Sequence, residues 1–286
     1  MPQDTLFTPN NVFNINGKLF SFDYPLVMGI LNATPDSFYD GGQNNSVEAA
    51  VKRAGQILEE GGDIIDIGAM STRPGSEEVS IEEELQRLIP VVKAVATAYP
   101  DAILSVDTYR AAVAREAIAA GAHIINDIAG GTMDNAMFAT VAKLKVPYIL
   151  MHIQGTPQTM QHNPEYENVV ADVLLHLSKK INELRKLGVT DIIIDPGFGF
   201  GKTIEHNYQL LNNLDPLRLL GYPILAGLSR KGMIYKPLGL TAEEALPGTI
   251  AANTIALKNG AAILRVHDVK EAAELVESYR LSVMGS

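Results

Sequence analysis

The sequence predicts a (β/α)8 barrel, an α/β fold known as the TIM barrel, on three observations. Eight short β-rich runs recur along the chain, each nearly continuous in apolar residues, as strands buried on both faces must be. Helical patterns lie between these runs in strict alternation. The length, 286 residues, is close to that typical of this barrel. A doubly wound open sheet is the alternative, but it rarely carries eight parallel strands in so even a rhythm.

The elements follow in order. The start, "NVFNINGKLFSF", sets Asn-Gly between apolar runs and reads as a β-hairpin within residues 1–25, placed to plug the N-terminal end of the barrel. The strand runs are "VMGIL" (27–31), "IIDIG" (64–68), "ILSVD" (103–107), "IINDI" (124–128), "YILMH" (148–152), "IIID" (192–195), "ILAGL" (224–228) and "ILRVH" (263–267). Over 81–99, Ile81, Leu85, Leu88, Val92, Val95 and Tyr99 recur at helical spacing, as do Val169, Val173, Leu177, Ile181 and Leu184 further on. Ser80 with Glu83, and Thr241 with Glu244, read as capping boxes. Gly61-Gly62, Gly121, Gly188 and Gly260 stand where helices should stop. No linker or repeat divides the chain, so residues 1–286 are expected to form a single domain.

Composition narrows the function. The chain is 47% hydrophobic and 20% charged with net charge −10, which disfavours sequence-neutral contact with nucleic acid or anionic membrane but allows a local anion pocket. Cysteine is absent, which excludes disulfides, thiolate metal sites and cysteine nucleophiles. The start shows no basic region followed by an apolar core, and no apolar run approaches a membrane span, so a cytoplasmic protein is expected. The six histidines show no zinc-ligand spacing.

A parallel barrel carries its chemistry at the C-terminal ends of the strands. Read in order, those ends offer Asn32, Asp66, Asp107, Asn126, His152, Asp195, Ser229-Arg230-Lys231, Arg265 and His267. One buried carboxylate is commonly a structural hydrogen-bonder, but Asp107, Asn126 and Asp195 on one rim repel and desolvate one another unless a ligand pairs them. Acceptors beside an amide suit a flat heterocycle with an amino-amidine edge, such as a pterin or guanine. Met151 and Ile128 would wall it, although ordinary barrel core explains either alone equally well. Arg265 and His267 are two apart on the last strand and point the same way, just before a helix start, the usual phosphate site of this barrel. Lys231 suits either group. The loops 32–42 and 70–80 exceed common βα loops and read as lids.

The stretch "DPGFGFGKT" imitates a phosphate loop and fails the test. The first glycine of a Walker A motif would fall on Pro196, and the third of a dinucleotide fingerprint on Lys202. It reads instead as the sixth βα turn, with Gly197 and Gly199 keeping side chains out of the pocket. Lys202 and Thr203 receive no role.

In order along the chain stand "MGILNATPDSFYDGG", "STRPGS", "SVDT", "HIINDI", "MHIQGTP", "DPGFGFGKT", "SRKGMI" and "RVHDV". From about residue 27 to 275 the chain resembles dihydropteroate synthase, a pterin-binding transferase of folate biosynthesis. The resemblance implies condensation of 6-hydroxymethyl-7,8-dihydropterin diphosphate with p-aminobenzoate, giving 7,8-dihydropteroate and pyrophosphate. It implies that Asp107, Asn126 and Asp195 hold the pterin with Lys231, beside Ile128 and Met151. It implies Mg2+ at Asn32 with the loop carboxylate Asp40, and diphosphate at Asn32, Thr72, Arg265 and His267. Phe38, Arg73, Pro74, Phe200 and Gly232 fall on the p-aminobenzoate side, where sulfonamides compete. Catalysis is thereby assigned to Asn32, Asp40, Arg73, Lys231, Arg265 and His267, and a homodimer is expected. Another pterin-binding barrel, the methyltetrahydrofolate-corrinoid methyltransferase domain, would not need the diphosphate residues. Departures from the family pattern are Tyr39 in place of Ser, Ala69-Met70 in place of Gly-Glu, and Gly232 in place of Ser. None removes a pterin or diphosphate residue.

Overall fold

The computed structural model describes residues 11–33, 42–70, 79–160 and 163–284. It opens with an antiparallel hairpin, β1 (Val12–Ile15) and β2 (Lys18–Ser21), in which Val12 faces Ser21 and Ile15 faces Lys18. The turn residues Asn16 and Gly17 have φ of 50° and 80°. Positive φ at both central positions gives the twist that a two-residue hairpin turn requires, which is why Asn-Gly stands there.

Eight parallel strands follow: β3 (Leu26–Asn32), β4 (Ile64–Gly68), β5 (Ile103–Asp107), β6 (Ile124–Asp127), β7 (Tyr148–Met151), β8 (Ile192–Asp195), β9 (Ile224–Ala226) and β10 (Ala261–Val266). Each pairs with the next, and β10 returns to β3, closing the barrel. Among the described residues the helices are α1 (Gly42–Glu59), α2 (Ile81–Ala98), α3 (Ala111–Ala119), α4 (Met137–Leu144), α5 (Val169–Lys186), α6 (Ile204–Asn212), α7 (Gly232–Tyr235), α8 (Leu246–Lys258) and α9 (Val269–Met284). The predicted barrel and hairpin are both present. Gly227 and Leu228, expected to finish the seventh run, lie beyond β9.

Helix ends follow the sequence signals with three differences. Ser80 Oγ accepts from the Glu83 amide at 3.1 Å, but the Glu83 carboxylate holds Arg87. Glu244 accepts from the Thr241 amide at 3.0 Å, yet α8 begins only at Leu246. Each expected box is thus half made. Gly61, Gly121, Gly188 and Gly260 have positive φ at helix ends, and Gly62 does not.

The core divides into layers. Strand residues such as Ile65, Ile67, Leu104 and Ile194 pack outward against helix residues Ile57, Leu88, Val92 and Leu177, all fully buried. Inside, at the N-terminal end, Phe13, Ile15 and Phe22 from the hairpin segment join Met28, Ile64, Ile124, Ile193 and Ile263 in one buried cluster. Each such phenylalanine contributes on the order of 2 kcal/mol by leaving water. With that end filled by apolar side chains, the polar residues gather at the opposite mouth.

Candidate active site

Strand register brings the predicted polar residues together. Asp107 on β5 lies level with Asn126 on β6 and Gly68 on β4. Asp66, two residues earlier on β4, is fully buried. Its Oδ2 accepts from Asn126 Nδ2 at 3.0 Å and from Arg265 Nε at 2.6 Å. Arg265 also donates to Asp107 Oδ2 at 2.8 Å. The cationic group and the carboxylates, read from sequence as separate parts of the rim, are therefore one network. The cause is geometric: β10 neighbours β3, and the long guanidinium arm crosses it to reach β4 and β5. Asp268, the acid nearest Arg265 in sequence, pairs with Arg230 instead, at 3.0 Å.

Electrostatics follow from burial. Desolvation pushes the Asp107 carboxyl up to about 7 although Arg265 opposes it. Burial also raises Asp195, countered chiefly by Lys231. Lys231 is itself pushed down to about 8 by burial, with Asp195 acting against the shift. Burial works against the charge on Arg265, but Asp66 and Asp107 outweigh it and hold the guanidinium protonated. Among the described residues, Asp66 Oδ1 is buried without a hydrogen-bond partner. Such an acceptor is costly unless water or a ligand meets it.

Asp195 ends β8, and its Oδ1 accepts from the Gly197 amide at 2.7 Å. Lys231 reaches over the following turn, bonding the Phe198 carbonyl and placing Nζ 4.7 Å from the centre of the Phe200 ring. A Cβ at Gly199 would lie 3.2 Å from the Lys231 side chain, on the site side as expected, but at Gly197 the reason differs. At Gly197, φ is 71° and an added Cβ would lie 1.9 Å from the His152 carbonyl oxygen. The turn is pressed against the chain after β7, so backbone proximity excludes a side chain there, not an open pocket.

The apolar walls are also assembled. Ile128 and Met151 belong to one cluster with Tyr109 and Ile153, with Phe200 packed against it. Asn32 is the exposed last residue of β3. His267 follows β10, with Nδ1 3.0 Å from Ser229 Oγ, and is exposed. Gly232 opens the short α7. Phe38, Asp40, Thr72, Arg73 and Pro74 lie outside the described residues, as do Tyr39 and most of both lid loops.

Two residues given no role in the sequence reading have defined ones. Thr203 caps α6, accepting from the His206 amide at 3.1 Å while its own amide donates to the His206 ring at 3.3 Å. Lys202 is 3% exposed and donates inward at 2.9–3.1 Å. Asp66 was noted at a strand end but not among the ligand-holding residues. Alternation placed it facing the barrel interior, and that signal was available.

A closed parallel barrel with a charged, partly apolar C-terminal mouth is that of a barrel enzyme acting on small molecules. Residues 28–267 match the family model described as pterin binding enzyme. The dihydropteroate synthase of Haemophilus influenzae is 48% identical over 267 residues, covering 93% of this chain and 96% of the relative. The chain belongs to the dihydropteroate synthase family of pterin binding enzymes. Among solved structures, Xanthomonas albilineans dihydropteroate synthase with 4-aminobenzoic acid is 42% identical, with a TM-score of 0.87 over 95% of this chain and 98% of that one. The same enzyme in complex with 7,8-dihydropteroate is 40% identical, with a TM-score of 0.83 over 95% and 98%.

Proposed function

We infer that this protein condenses 6-hydroxymethyl-7,8-dihydropterin diphosphate with p-aminobenzoate, releasing pyrophosphate and forming 7,8-dihydropteroate. The observation that carries the reading is the network of Asp66, Arg265, Asp107 and Asn126 beside Asp195, under the apolar wall of Ile128, Met151 and Phe200. The Xanthomonas structures with 4-aminobenzoic acid and with 7,8-dihydropteroate support the choice of substrates.

In this reading the pterin lies flat against the apolar wall. Asp107 and Asp195 accept from its ring N–H and amino groups, and Asn126 pairs a donor with an acceptor. Lys231, whose charge acts on Asp195, covers the ring from the seventh loop. The diphosphate lies toward Asn32, His267 and the outer edge of Arg265, with Thr72 of the second loop. Phe200, Gly232, Phe38, Arg73 and Pro74 form the p-aminobenzoate side, the Gly232 amide standing in for the Ser of other members.

The bond from the pterin methylene to the diphosphate oxygen breaks first, and its electron pair leaves with pyrophosphate. Arg265 and His267 stabilise the charge that develops there. The methylene cation is delocalised into the pterin and tolerated by the carboxylates. The aniline nitrogen then forms the new C–N bond and yields its proton to solvent, with no strong base required. The mouth mainly aligns the two substrates and excludes water. Mg2+ suits the donor chemistry, since it takes one or two protein oxygens together with phosphate and water. Asn32, exposed at the end of β3, offers an amide oxygen, and Asp40 a carboxylate. When bound, the ion supplies charge neutralisation for the leaving group.

The chain is assigned as one domain over residues 1–286, acting in the cytoplasm as a homodimer, with the Ala- and Ile-rich segment 248–260 as a candidate interface. Among the described residues no helix is long and apolar enough to cross a membrane. The test is pyrophosphate release from both substrates with Mg2+. Release of pyrophosphate together with formation of 7,8-dihydropteroate is expected when p-aminobenzoate is present; no release in its presence rejects the reading.

A further inference from the structure

The turn after β8 is gripped from both sides. On the mouth side Lys231 bonds the Phe198 carbonyl. On the far side Lys202 is buried, and its Nζ stands 2.9 Å from the Gly197 carbonyl, 3.1 Å from the Phe200 carbonyl and 2.9 Å from His152 Nδ1. Three acceptors match the three protons of an ammonium, and all three are used. Burial drives His152 down to about 2, so its ring is neutral and free to accept at Nδ1. Around this pair the turn is tied further: Tyr166 donates to the Gly201 carbonyl at 2.7 Å, and Asn207 accepts from the Gly199 amide at 2.7 Å. A buried lysine is expensive, and a well-paired surface turn has no need of one.

We propose that Lys202 is a positioning residue for the condensation: its buried ammonium holds the Gly197 and Phe200 carbonyls from behind, so that the Asp195 carboxylate and the Phe200 ring face the two substrates. The proposal rests on the function inferred above. Asp195 precedes the clamped turn by two residues and is bonded to its first amide, and Phe200 is its outer residue. A shift of the turn therefore moves one group from each substrate's side at once. The other ionisable groups facing Lys202 are His176, whose ring packs 4.8 Å from that of His152, together with Asp195 and Lys231. Desolvation pushes Lys202 down to about 7, with Asp195 opposing, so the clamp is charged below neutral pH, about half charged near pH 7, and weakens above it.

The experiment compares steady-state kinetics of the wild type with Lys202→Met, at a temperature where circular dichroism shows both folded. Misplacement by about 1 Å lowers kcat by about 10–100-fold. The loss in kcat should exceed the change in either KM, because the side chains that touch substrate are still present. Lys202→Cys supplies a rescue, because the chain has no other cysteine. Aminoethylation of the unfolded variant followed by refolding rebuilds a lysine-like ammonium, and it should restore most of the rate. If Lys202→Met does not fold, Lys202→Gln takes its place; its amide is too short to meet all three acceptors, and a reduced kcat is again expected. A folded variant with wild-type kcat and KM, or a Cys variant equally slow with and without aminoethylation, overturns the proposal alone. A wild type that releases no pyrophosphate overturns the inferred function and this proposal with it.

Discussion

Replacing Arg265 with Met tests the bridge between the two carboxylates. The guanidinium holds Asp66, fully buried, and Asp107, with an 11% exposed side chain, while Arg265 itself is 22% exposed. Removing one partner of a buried pair costs about 3–5 kcal/mol, and the partial exposure of Arg265 argues for the lower end, about 3 kcal/mol. For a chain of 286 residues that lowers Tm by about 5 °C. The loss must depend on pH. Asp107 sits at about 7 in the folded protein against 3.8 for the free group, so it binds a proton on folding within that window. Its contribution to stability is full below about 4 and is lost as pH rises through 7. Without Arg265 the folded value moves higher still, so the variant suffers most where the carboxylate must ionise. Thermal unfolding followed by circular dichroism at pH 8 and pH 5.5 should show the larger drop at pH 8. An equal drop at both values, a larger one at pH 5.5, or none would refute the reasoning.

Other consequences are as specific. Asp107→Asn replaces two acceptor oxygens by one and should weaken pterin binding by about tenfold, the equivalent of one net hydrogen bond to a charged group; calorimetric titration with the pterin substrate reads it, and an unchanged Kd counts against the clamp. In the wild type, pterin affinity should rise as pH passes upward through about 7, where Asp107 ionises, and Asp107→Asn should flatten that rise. Gly197→Ala forces a Cβ to 1.9 Å from the His152 oxygen. With backbone strain of about 1–3 kcal/mol added to that clash, the urea midpoint should fall clearly, and no shift would contradict the described turn.

The barrel was legible because its signals are local and repeated. A run such as Ile192–Asp195 declares a strand buried on both faces, and Asn16-Gly17 declares a hairpin turn. The polar members of the mouth were legible by the same route, since a strand's last residues face a known end of a barrel. What escaped was pairing. Arg265 and Asp66 lie 199 positions apart in sequence and meet only through the closure of β10 on β3. Lys202 escaped for another reason: a lysine in a Gly-rich loop has the composition of an exposed residue, and only the fold shows three acceptors converging behind the turn. Gly197 was rightly noticed for the wrong cause, because the obstacle is a carbonyl from the neighbouring strand end. Phe38, Asp40, Thr72, Arg73 and Pro74 have roles proposed from family resemblance alone and lie outside the described residues.

The most direct measurement is a single turnover. Enzyme in excess over dihydropterin diphosphate is mixed with Mg2+ and 15N-labelled p-aminobenzoate, quenched, and analysed by mass spectrometry alongside the pyrophosphate released. The account predicts equal amounts of pyrophosphate and 7,8-dihydropteroate carrying the label, with formation abolished or strongly slowed in Arg265→Met. Release of pyrophosphate with only hydroxymethyl-dihydropterin as product, or no turnover at all, would contradict it.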